Sequence, residues 1–278
     1  MVATPIGNLR DISLRALDVL ARADLIAAED TRNTSRLLSH FAISGKLFAF
    51  HEHNERQATQ RLLAVLESGK SVALASDAGT PGISDPGAFL VGAARAAGIP
   101  VVPVPGANAA VCALSAAGIE APHFLFYGFL PNKGSARRRE LEALKGLPYT
   151  LVFYESPHRI MDCVCDLSEV LGGERTITFG RELTKVFETV HSVRLGDAPA
   201  WLEADPNRQR GEFVLLISGA QPAPSEPVSE QGRRLLSALL AELPLKQAVR
   251  IAAEVGGEKK NALYALALKL RVLKSEHG

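Results

Sequence analysis

The stretch SDAGTPGISDPG, residues 76–87, decides how this chain folds. It follows the apolar run SVALA, residues 71–75, which is typical of a buried strand. Glycine lets a backbone approach a ligand closely and proline fixes a turn, so the stretch predicts an open loop at the carboxyl edge of a sheet. A plain strand-to-helix turn is the alternative. Asp77 and Asp85 bracket the loop, and two such acceptors suit hydroxyl or amino groups better than a phosphate.

Two common nucleotide-binding motifs are missing from the sequence. No GxxxxGK[ST] occurs, which argues against a P-loop hydrolase. No GxGxxG follows the first predicted strand, which argues against a Rossmann dinucleotide site. We therefore expect a ligand of another kind at the loop.

The charge of the chain is unevenly distributed. Of its 278 residues 47% are hydrophobic, which is enough for more than one packed domain, and the net charge is only +1. Residues 226–278 nevertheless carry nine Lys and Arg against six Asp and Glu. This basic excess favours an RNA contact at the C-terminal end, with a packing appendage as the alternative.

Neither cysteines nor histidines form a metal pattern. Cys112, Cys163 and Cys165 have neither zinc spacing nor an even number for disulfides, which favours a reduced compartment. The pair His51 and His53 lacks a nearby third ligand, so we expect no metal. No apolar run reaches the ~18 residues of a membrane span, and no signal-peptide pattern is visible. We therefore expect a soluble, cytoplasmic protein without membrane contact.

Strand-like and helical patterns alternate in residues 1–117, which predicts parallel βα units. The predicted strands are residues 2–6, 24–28, 46–50, 71–75 and 100–104. Ser13 is expected to cap a helix that runs to Arg22. Polar clusters follow the strand ends, and because parallel strands end at one edge of a sheet, we expect these clusters to line a cleft.

Residues 118–220 have a different composition, richer in aromatic and β-branched residues. The predicted strands here are residues 124–130, 149–155, 175–181, 186–193 and 212–218. The last of them leave no room for crossover helices, so we expect a mixed sheet. Residues 221–227, QPAPSEP, are expected to form a linker to a helical tail at 226–278, a helix-turn-helix-like pair.

Six motifs in order carry a family resemblance: VATPIGNL (2–9), LIAAEDTR (25–32), SDAGTPGISDPG (76–87), VPVPGANAA (102–110), FYGFLP (126–131) and FYESPHR (153–159). Together they resemble the tetrapyrrole-methylase superfamily and, within it, the 16S ribosomal RNA ribose 2′-O-methyltransferase I group. The resemblance covers essentially the whole chain. The chain begins almost inside its first motif, so we expect the leading residues of the first strand to be missing.

The resemblance implies two α/β domains, residues 1–117 and 118–220, with S-adenosylmethionine bound in the cleft between them, a small C-terminal helical domain, and a homodimer. The donor carries an amino group, ribose hydroxyls and a sulfonium but no phosphate, which suits the acceptor-rich loop. The implied cofactor contacts are Asp77, Gly79, Ile83, Ser84, Asp85, Asn108, Ala109, Leu130 and Leu183, with Phe129 beside Leu130.

Methyl transfer to a ribose hydroxyl needs alignment and removal of the hydroxyl proton. Lys185 and Glu155 are the preferred proton acceptors, and a buried hydrogen-bonding role is the alternative for every candidate. The other candidates are Glu29, Asp30, His51, His53 and His158. Arginine and lysine bind phosphate, and the expected RNA contacts are Asn8, Arg32, Lys133, Arg137, Arg159, Lys259 and Lys260. The arginine triplet at 137–139 is equally compatible with a solvated helix face.

Three functions follow from these expectations. The first is 2′-O-methylation of a cytidine in the decoding region of 16S ribosomal RNA, within the 30S subunit. The second is methylation of a small, tetrapyrrole-like molecule, against which the basic tail argues. The third is a noncatalytic ribosome-assembly protein with a vestigial cofactor pocket, which the intact glycine loop disfavours.

Overall fold

In the computed structural model, which describes residues 1–120, 122–221 and 228–275, the first part of the chain folds around a three-stranded parallel sheet. Its strands are β1 (Leu25–Ala28), β2 (Leu47–Ala49) and β3 (Val72–Ala75), in the order β2-β1-β3. All three were expected from the apolar runs, and β3 delivers the glycine-rich loop. The carboxyl ends of β1 and β3 therefore lie side by side, in register from Leu25 and Val72 onward.

The predicted strands at residues 2–6 and 100–104 are reduced to isolated bridges. Val2 pairs with both β3 and Val104. Prolines flank Val104 on both sides, and because proline has no N–H it cannot continue a ladder. Thr4 and Gly79 still exchange two backbone hydrogen bonds of 2.8 and 3.0 Å, so the N-terminal segment holds the glycine-rich loop in place.

Helices separate these strands, as the alternating pattern predicts. They are α1 (Leu14–Arg22), α2 (Thr31–His40), α3 (Glu55–Glu67), α4 (Ala88–Ala96) and α5 (Ala109–Ala116). Ser13 caps α1 as expected, since its Oγ accepts the N–H of Ala16 at 3.1 Å. No prediction covers α2, which begins at the polar cluster after β1, where Asp30 caps it by accepting the N–H of Arg32 at 2.8 Å.

The second sheet is mixed, as predicted. Its strands in the described residues are β4 (Phe124–Phe129), β5 (Thr150–Glu155), β6 (Thr176–Arg181), β7 (Thr189–Arg194) and β8 (Phe213–Ile217), in the order β4-β5-β8-β6-β7. The strands β4 and β5 run parallel, and the other neighbouring pairs run antiparallel. The helices α6 (Gly134–Leu144) and α7 (Ile160–Leu171) follow β4 and β5, and α8 (Ala198–Glu203) follows β7.

The two faces of this second sheet pack against different partners. Phe153 and Leu215 pack with α7 in one core cluster, whereas Val152 and Val214 pack with α5 in another. Side chains alternate along a strand, so a single sheet can bind helices from both halves of the chain. The predicted boundary at residue 117 therefore falls inside one compact unit, Met1–Ala220, which contains both sheets.

Residues from Gln221 onward belong to a second compact unit. In its described part it contains α9 (Glu230–Glu242), followed by α10 (Leu245–Gly256) and α11 (Lys260–Ser275), which correspond to the predicted pair. Its core includes Leu236, Ala248 and Leu263, one from each helix. Residues 222–227 of the predicted linker lie outside the described residues. No helix in the described ranges is both long and apolar enough to span a membrane.

Candidate active site

A cavity of about 400 Å³ opens between the two sheets of the first unit. One wall consists of residues that follow β1 and β3 and of the turn before α5, and the other of residues near the ends of β4, β5, β6 and β8. Small-molecule sites commonly measure ~300 to 1,000 Å³, so the cavity is large enough for such a ligand. The polar clusters at these strand ends meet here, which the sequence pattern predicts.

The glycine-rich loop takes a backbone conformation that only a few residue types adopt easily. Gly79 has a φ of +82° and Ser84 one of +63°, both in the left-handed region. Thr80 Oγ1 donates a hydrogen bond of 3.1 Å to the carbonyl of Ala107, which joins this loop to the VPGAN turn. Asn108 then caps α5 by accepting a backbone N–H at 3.1 Å. The two loops therefore form one connected surface of the cavity.

The expected cofactor contacts largely converge on this cavity. Those that line it are Asp77, Gly79, Ile83, Ser84, Asp85, Asn108, Ala109 and Leu183. Leu130 does not line it: this side chain is 2% exposed and lies in the core on the other face of the second sheet. Its neighbour Phe129 lines the cavity instead, because successive side chains point to opposite faces of a sheet.

Three carboxylates from the ends of β1 and β3 line the first wall: Glu29, Asp77 and Asp85. Asp77 accepts hydrogen bonds of 2.9 Å from the N–H of Asp30 and from the Asn33 amide, and its own N–H donates to Glu29 at 3.3 Å. Burial raises the pKa of Asp85 to about 7, and the charge of Glu29 acts in the same direction. Burial also raises the pKa of Glu29, with the charges of Asp77 and Asp30 adding to it. The cluster favours a ligand that brings positive charge and hydrogen-bond donors.

Lys185 lines the opposite wall as an ammonium. Its Nζ lies 2.7 Å from Glu212 Oε2 and 2.9 Å from Glu182 Oε1. Burial acts to lower the pKa of Lys185, but the hydrogen bonds to these two carboxylates outweigh it, and the pKa is raised. The two carboxylates therefore favour the protonated form of Lys185, which argues against its predicted role as acceptor of the hydroxyl proton.

Glu155 also lines the cavity, but its side chain has no exposed surface. Its Oε1 accepts the N–H of Ser156 at 2.8 Å, and its Oε2 lies 3.2 Å from Arg159 Nη2. Arg159 also donates a hydrogen bond of 2.7 Å to the carbonyl of Leu130. The side chain of Glu155 is thus buried and that of Arg159 is 23% exposed, and the two are paired with each other. Because its guanidinium is already engaged, Arg159 is not the open RNA contact that was predicted.

His51 does not line the cavity, contrary to the expectation for a proton acceptor. Its Nδ1 is buried and lacks a hydrogen-bond partner among the described residues. The rings of His51 and His53 lie 6.0 Å apart. No group of three or more His, Cys, Asp or Glu side chains that could hold a metal ion occurs in the described part of the chain.

The expected RNA contacts have different environments. Arg137 is not available for RNA as predicted, because it is only 4% exposed. Its Nε lies 2.6 Å from Asp166, in an ion pair that joins α6 to α7. Arg32 exposes 84% of its side chain. The N–H of Asn8 donates to Thr184 Oγ1 at 3.0 Å, which brings the first motif to the loop after β6. The lysines expected to bind RNA are exposed: Lys133, Lys259 and Lys260.

Sequence reasoning missed several residues of the cavity wall. The hydroxyl of Tyr154 accepts the N–H of Ala110 at 3.2 Å and so fixes the start of α5. Gly180 leaves room for α5, which a Cβ there would crowd. Tyr154 lies within the FYESPHR motif, so the motif could have indicated Tyr154 as a residue of the cavity wall. Nothing in the sequence pairs Glu212 with Lys185, since the two residues are far apart along the chain.

The fold and the cavity define a methylase of the tetrapyrrole-methylase type. The family model for Tetrapyrrole (Corrin/Porphyrin) Methylases matches residues 1–199, and the model for the RsmI C-terminal HTH domain matches residues 226–271. The chain is similar in structure to a crystal structure of uroporphyrin-III-C-methyltransferase from Thermus thermophilus, with a TM-score of 0.57 and 24% sequence identity. The alignment covers 78% of this chain and 92% of that chain. A structure of uroporphyrin-III C-methyltransferase complexed with S-adenyl homocysteine aligns with 78% and 95% of the two chains, at a TM-score of 0.55 and 18% identity. These two likenesses concern the fold.

The chain belongs to the ribosomal RNA small subunit methyltransferase I family. It is 52% identical over 269 residues to the member from Escherichia coli O157:H7, covering 97% of this chain and 94% of that protein. It is also 52% identical over 270 residues to the member from Pseudomonas aeruginosa strain PAO1, covering 97% and 96%. Family membership confirms the expected class of enzyme, a methyltransferase that uses S-adenosylmethionine.

The residues of the cavity fit this donor. The acidic wall of Glu29, Asp77 and Asp85 complements an amino group, ribose hydroxyls and a sulfonium charge. Ile83 and Leu183 supply apolar surface in the same cavity. Neither of the phosphate-binding glycine motifs is present in the sequence, which agrees with a donor that has no phosphate.

Proposed function

We propose that this chain transfers a methyl group from S-adenosylmethionine to the ribose 2′-hydroxyl of a cytidine in the decoding region of 16S ribosomal RNA. The observation that carries the proposal is the extent of the likeness, because 52% identity to a ribosomal RNA small subunit methyltransferase I over 97% of the chain includes both the cavity and the tail. A methyltransferase of small tetrapyrroles would not need the C-terminal domain matched at residues 226–271.

The donor, when bound, supplies a methyl group activated by its sulfonium. In this proposal Asp77, Asp85 and the backbone at Gly79 bind and orient the donor, since all three line the acidic side of the cavity. Ile83 and Leu183 exclude water from it. The main catalytic task of the protein is then to hold the acceptor hydroxyl in line with the methyl group.

Glu29 is the side chain best suited to take up the hydroxyl proton. It lines the cavity, and burial raises its pKa, which makes its carboxylate a stronger base than an ordinary one. Lys185, held as an ammonium at the opposite wall, binds a phosphate of the acceptor strand instead. Glu155 keeps the wall in shape through its pairing with Arg159.

The 30S subunit, a homodimer and a cytoplasmic location are parts of the same proposal. Exposed lysines such as Lys133 and Lys260 supply positive charge for RNA phosphates.

Val186 and Phe187, in the loop after β6, are 92% and 71% exposed, and large apolar side chains at a surface support an interface with a second copy. Light scattering of the purified protein tests the dimer, and a monomer would contradict it.

The function is tested with methyl-labelled S-adenosylmethionine and three acceptors: unmethylated 30S subunits, free 16S RNA and a tetrapyrrole precursor. We expect label in 30S subunits, on the ribose of one cytidine after nuclease digestion and mass spectrometry. Label in the tetrapyrrole would favour a small-molecule enzyme. Donor binding without label in any acceptor would favour a noncatalytic protein.

A further inference from the structure

A second cavity, of about 200 Å³, adjoins the first one at the glycine-rich loop. Ser76 and Asp77 contribute to its wall, together with Leu9 and with Asn33 and Arg36 of α2. Asp77 lines both cavities, so a single residue is common to the donor site and to this neighbouring space. None of the six sequence motifs assigns a ligand to this second cavity.

The polar groups of this second cavity are of two kinds. Asn33 Nδ2 donates to Asp77 Oδ2 at 2.9 Å, which orients the amide and the carboxylate towards each other. The remaining hydrogen-bonding capacity of the Asn33 amide has no partner in the described residues. Arg36 is exposed and has no ion pair within residues 1–120, 122–221 and 228–275. The cavity thus offers a cation beside groups that can bind hydroxyls.

Size limits what this cavity can hold. Its volume of about 200 Å³ is half that of the donor cavity and below the ~300 Å³ at which sites for whole small ligands begin. A fragment of a larger ligand fits better than a second complete cofactor. Guanidinium groups bind phosphate oxygens strongly, and amide and carboxylate groups bind hydroxyls, so a unit with both features matches the wall.

We propose that this cavity is a subsite for one ribose–phosphate unit of the RNA next to the acceptor nucleotide, with Arg36 on the phosphate and Asn33 towards the ribose. The inference rests on the proposed function, because it takes RNA as the acceptor. Since Asp77 is shared, a nucleotide seated here positions its neighbour at the donor cavity. The subsite thereby contributes to the register of the RNA strand.

The test measures methylation of unmethylated 30S subunits by Arg36→Glu and by a matched control, Arg61→Glu. Arg61 is likewise an exposed arginine on a helix of the same unit, α3, without an ion pair in the described part. We expect Arg36→Glu to raise KM for 30S subunits about tenfold or more. The slope of the logarithm of the RNA-binding constant against the logarithm of the salt concentration should become shallower by about one. Donor affinity, measured by calorimetry, and the KM of the control should both change less than about twofold, which is the scale of a surface substitution.

A steric variant separates a cavity from a general charge effect. Leu9→Trp fills the space from a position that is 38% exposed, and Leu14→Trp, at a position that is 82% exposed outside the cavity, is its control. We expect Leu9→Trp to raise KM for 30S while the control does not. Equal effects of Arg36→Glu and Arg61→Glu, or an inert Leu9→Trp, would overturn the subsite.

The outcome for the wild-type protein keeps the two proposals apart. If the wild type labels 30S subunits and all four variants behave like it, the subsite is wrong and the proposed function stands. If the wild type labels no RNA, the proposed function itself fails, and the subsite falls with it.

Discussion

Arg159 Nη2 lies 3.2 Å from Oε2 of Glu155, a carboxylate whose side chain has no exposed surface. The same guanidinium hydrogen-bonds the carbonyl of Leu130 and the side chain of Asn132. Glu155 ends β5 and is followed by Ser156 at the cavity wall. A charge pair with a fully buried carboxylate therefore lies between the core of the second sheet and the donor cavity.

Removing the arginine from this pair should destabilise the fold. Arg159→Met leaves the Glu155 carboxylate buried without its partner, so we expect the free energy of unfolding to fall by about 3 kcal/mol in urea titrations. The double variant Glu155→Gln with Arg159→Met leaves no unpaired carboxylate at this position and should recover part of the lost stability. If Arg159→Met is as stable as the wild type, the pair is not a structural link.

The charge of Lys185 determines the second prediction. Because two carboxylates hold it as an ammonium, Lys185→Arg should keep most of the single-turnover rate at saturating 30S, since arginine stays protonated. Lys185→Met should lower RNA affinity. A loss of about 10²- to 10⁴-fold in rate for the arginine variant, with donor binding intact, would restore Lys185 as a general base.

The backbone at Gly79 provides the third prediction. A Cβ there would lie 3.5 Å from Ile6, an ordinary contact, but the φ of +82° strains any other residue. Gly98 has a φ of +73° with open space around it and serves as a control. Both Gly79→Ala and Gly98→Ala should lose about 1 kcal/mol of stability. Calorimetry should show donor affinity reduced about tenfold for Gly79→Ala alone, and equal affinities would contradict the site.

Asp85 makes donor binding depend on pH. Its pKa of about 7 means that it gains its negative charge as the pH rises through neutrality, so affinity for the positively charged donor should rise over that window. Asp85→Asn should abolish this rise, whereas Asp18→Asn, at an exposed position on α1, should leave it unchanged. Calorimetry at a series of pH values measures the donor affinity of the wild type and of both variants.

The same group has the opposite effect on the stability of the free protein. A pKa raised from 3.8 to about 7 means that the folded state holds a proton that the unfolded state has released. The free energy of unfolding should therefore decrease as the pH rises from the unfolded-state value to the folded-state value. Thermal melts without donor should show this decrease in the wild type, and Asp85→Asn should weaken it. An undiminished decrease in the variant would mean that another group is responsible.

The tail prediction follows from the division of the chain at Ala220. Deleting residues 221–278 should leave donor affinity unchanged, because every residue of the donor cavity lies in the first unit. RNA affinity should fall, with a shallower dependence on salt, because basic groups are lost. Lys260→Glu in the full chain should act in the same direction. Loss of donor binding on deletion would mean that the tail supports the fold of the first unit.

Much of the fold and of the site could be predicted because the signals are local. The run before β3 and the glycines and prolines after it indicate a strand and a loop, whatever the rest of the chain does. Ser13 caps α1 through a hydrogen bond that spans three residues. Asp77 and Asp85 meet Asn108 in the cavity, because parallel strands present their carboxyl ends at one edge.

The sequence by itself determined most of the strands and helices, the donor loop and the family motifs, since these depend on neighbours along the chain. Only the tertiary structure decided which charges are buried or paired. Arg137 stands in a run of arginines, yet it is buried because it pairs with Asp166 on α7. Lys185 donates a hydrogen bond to Glu212, which is 27 residues away along the chain and favours the ammonium form. Such pairings arise from packing between distant elements and from the loss of water around them, which no local pattern records.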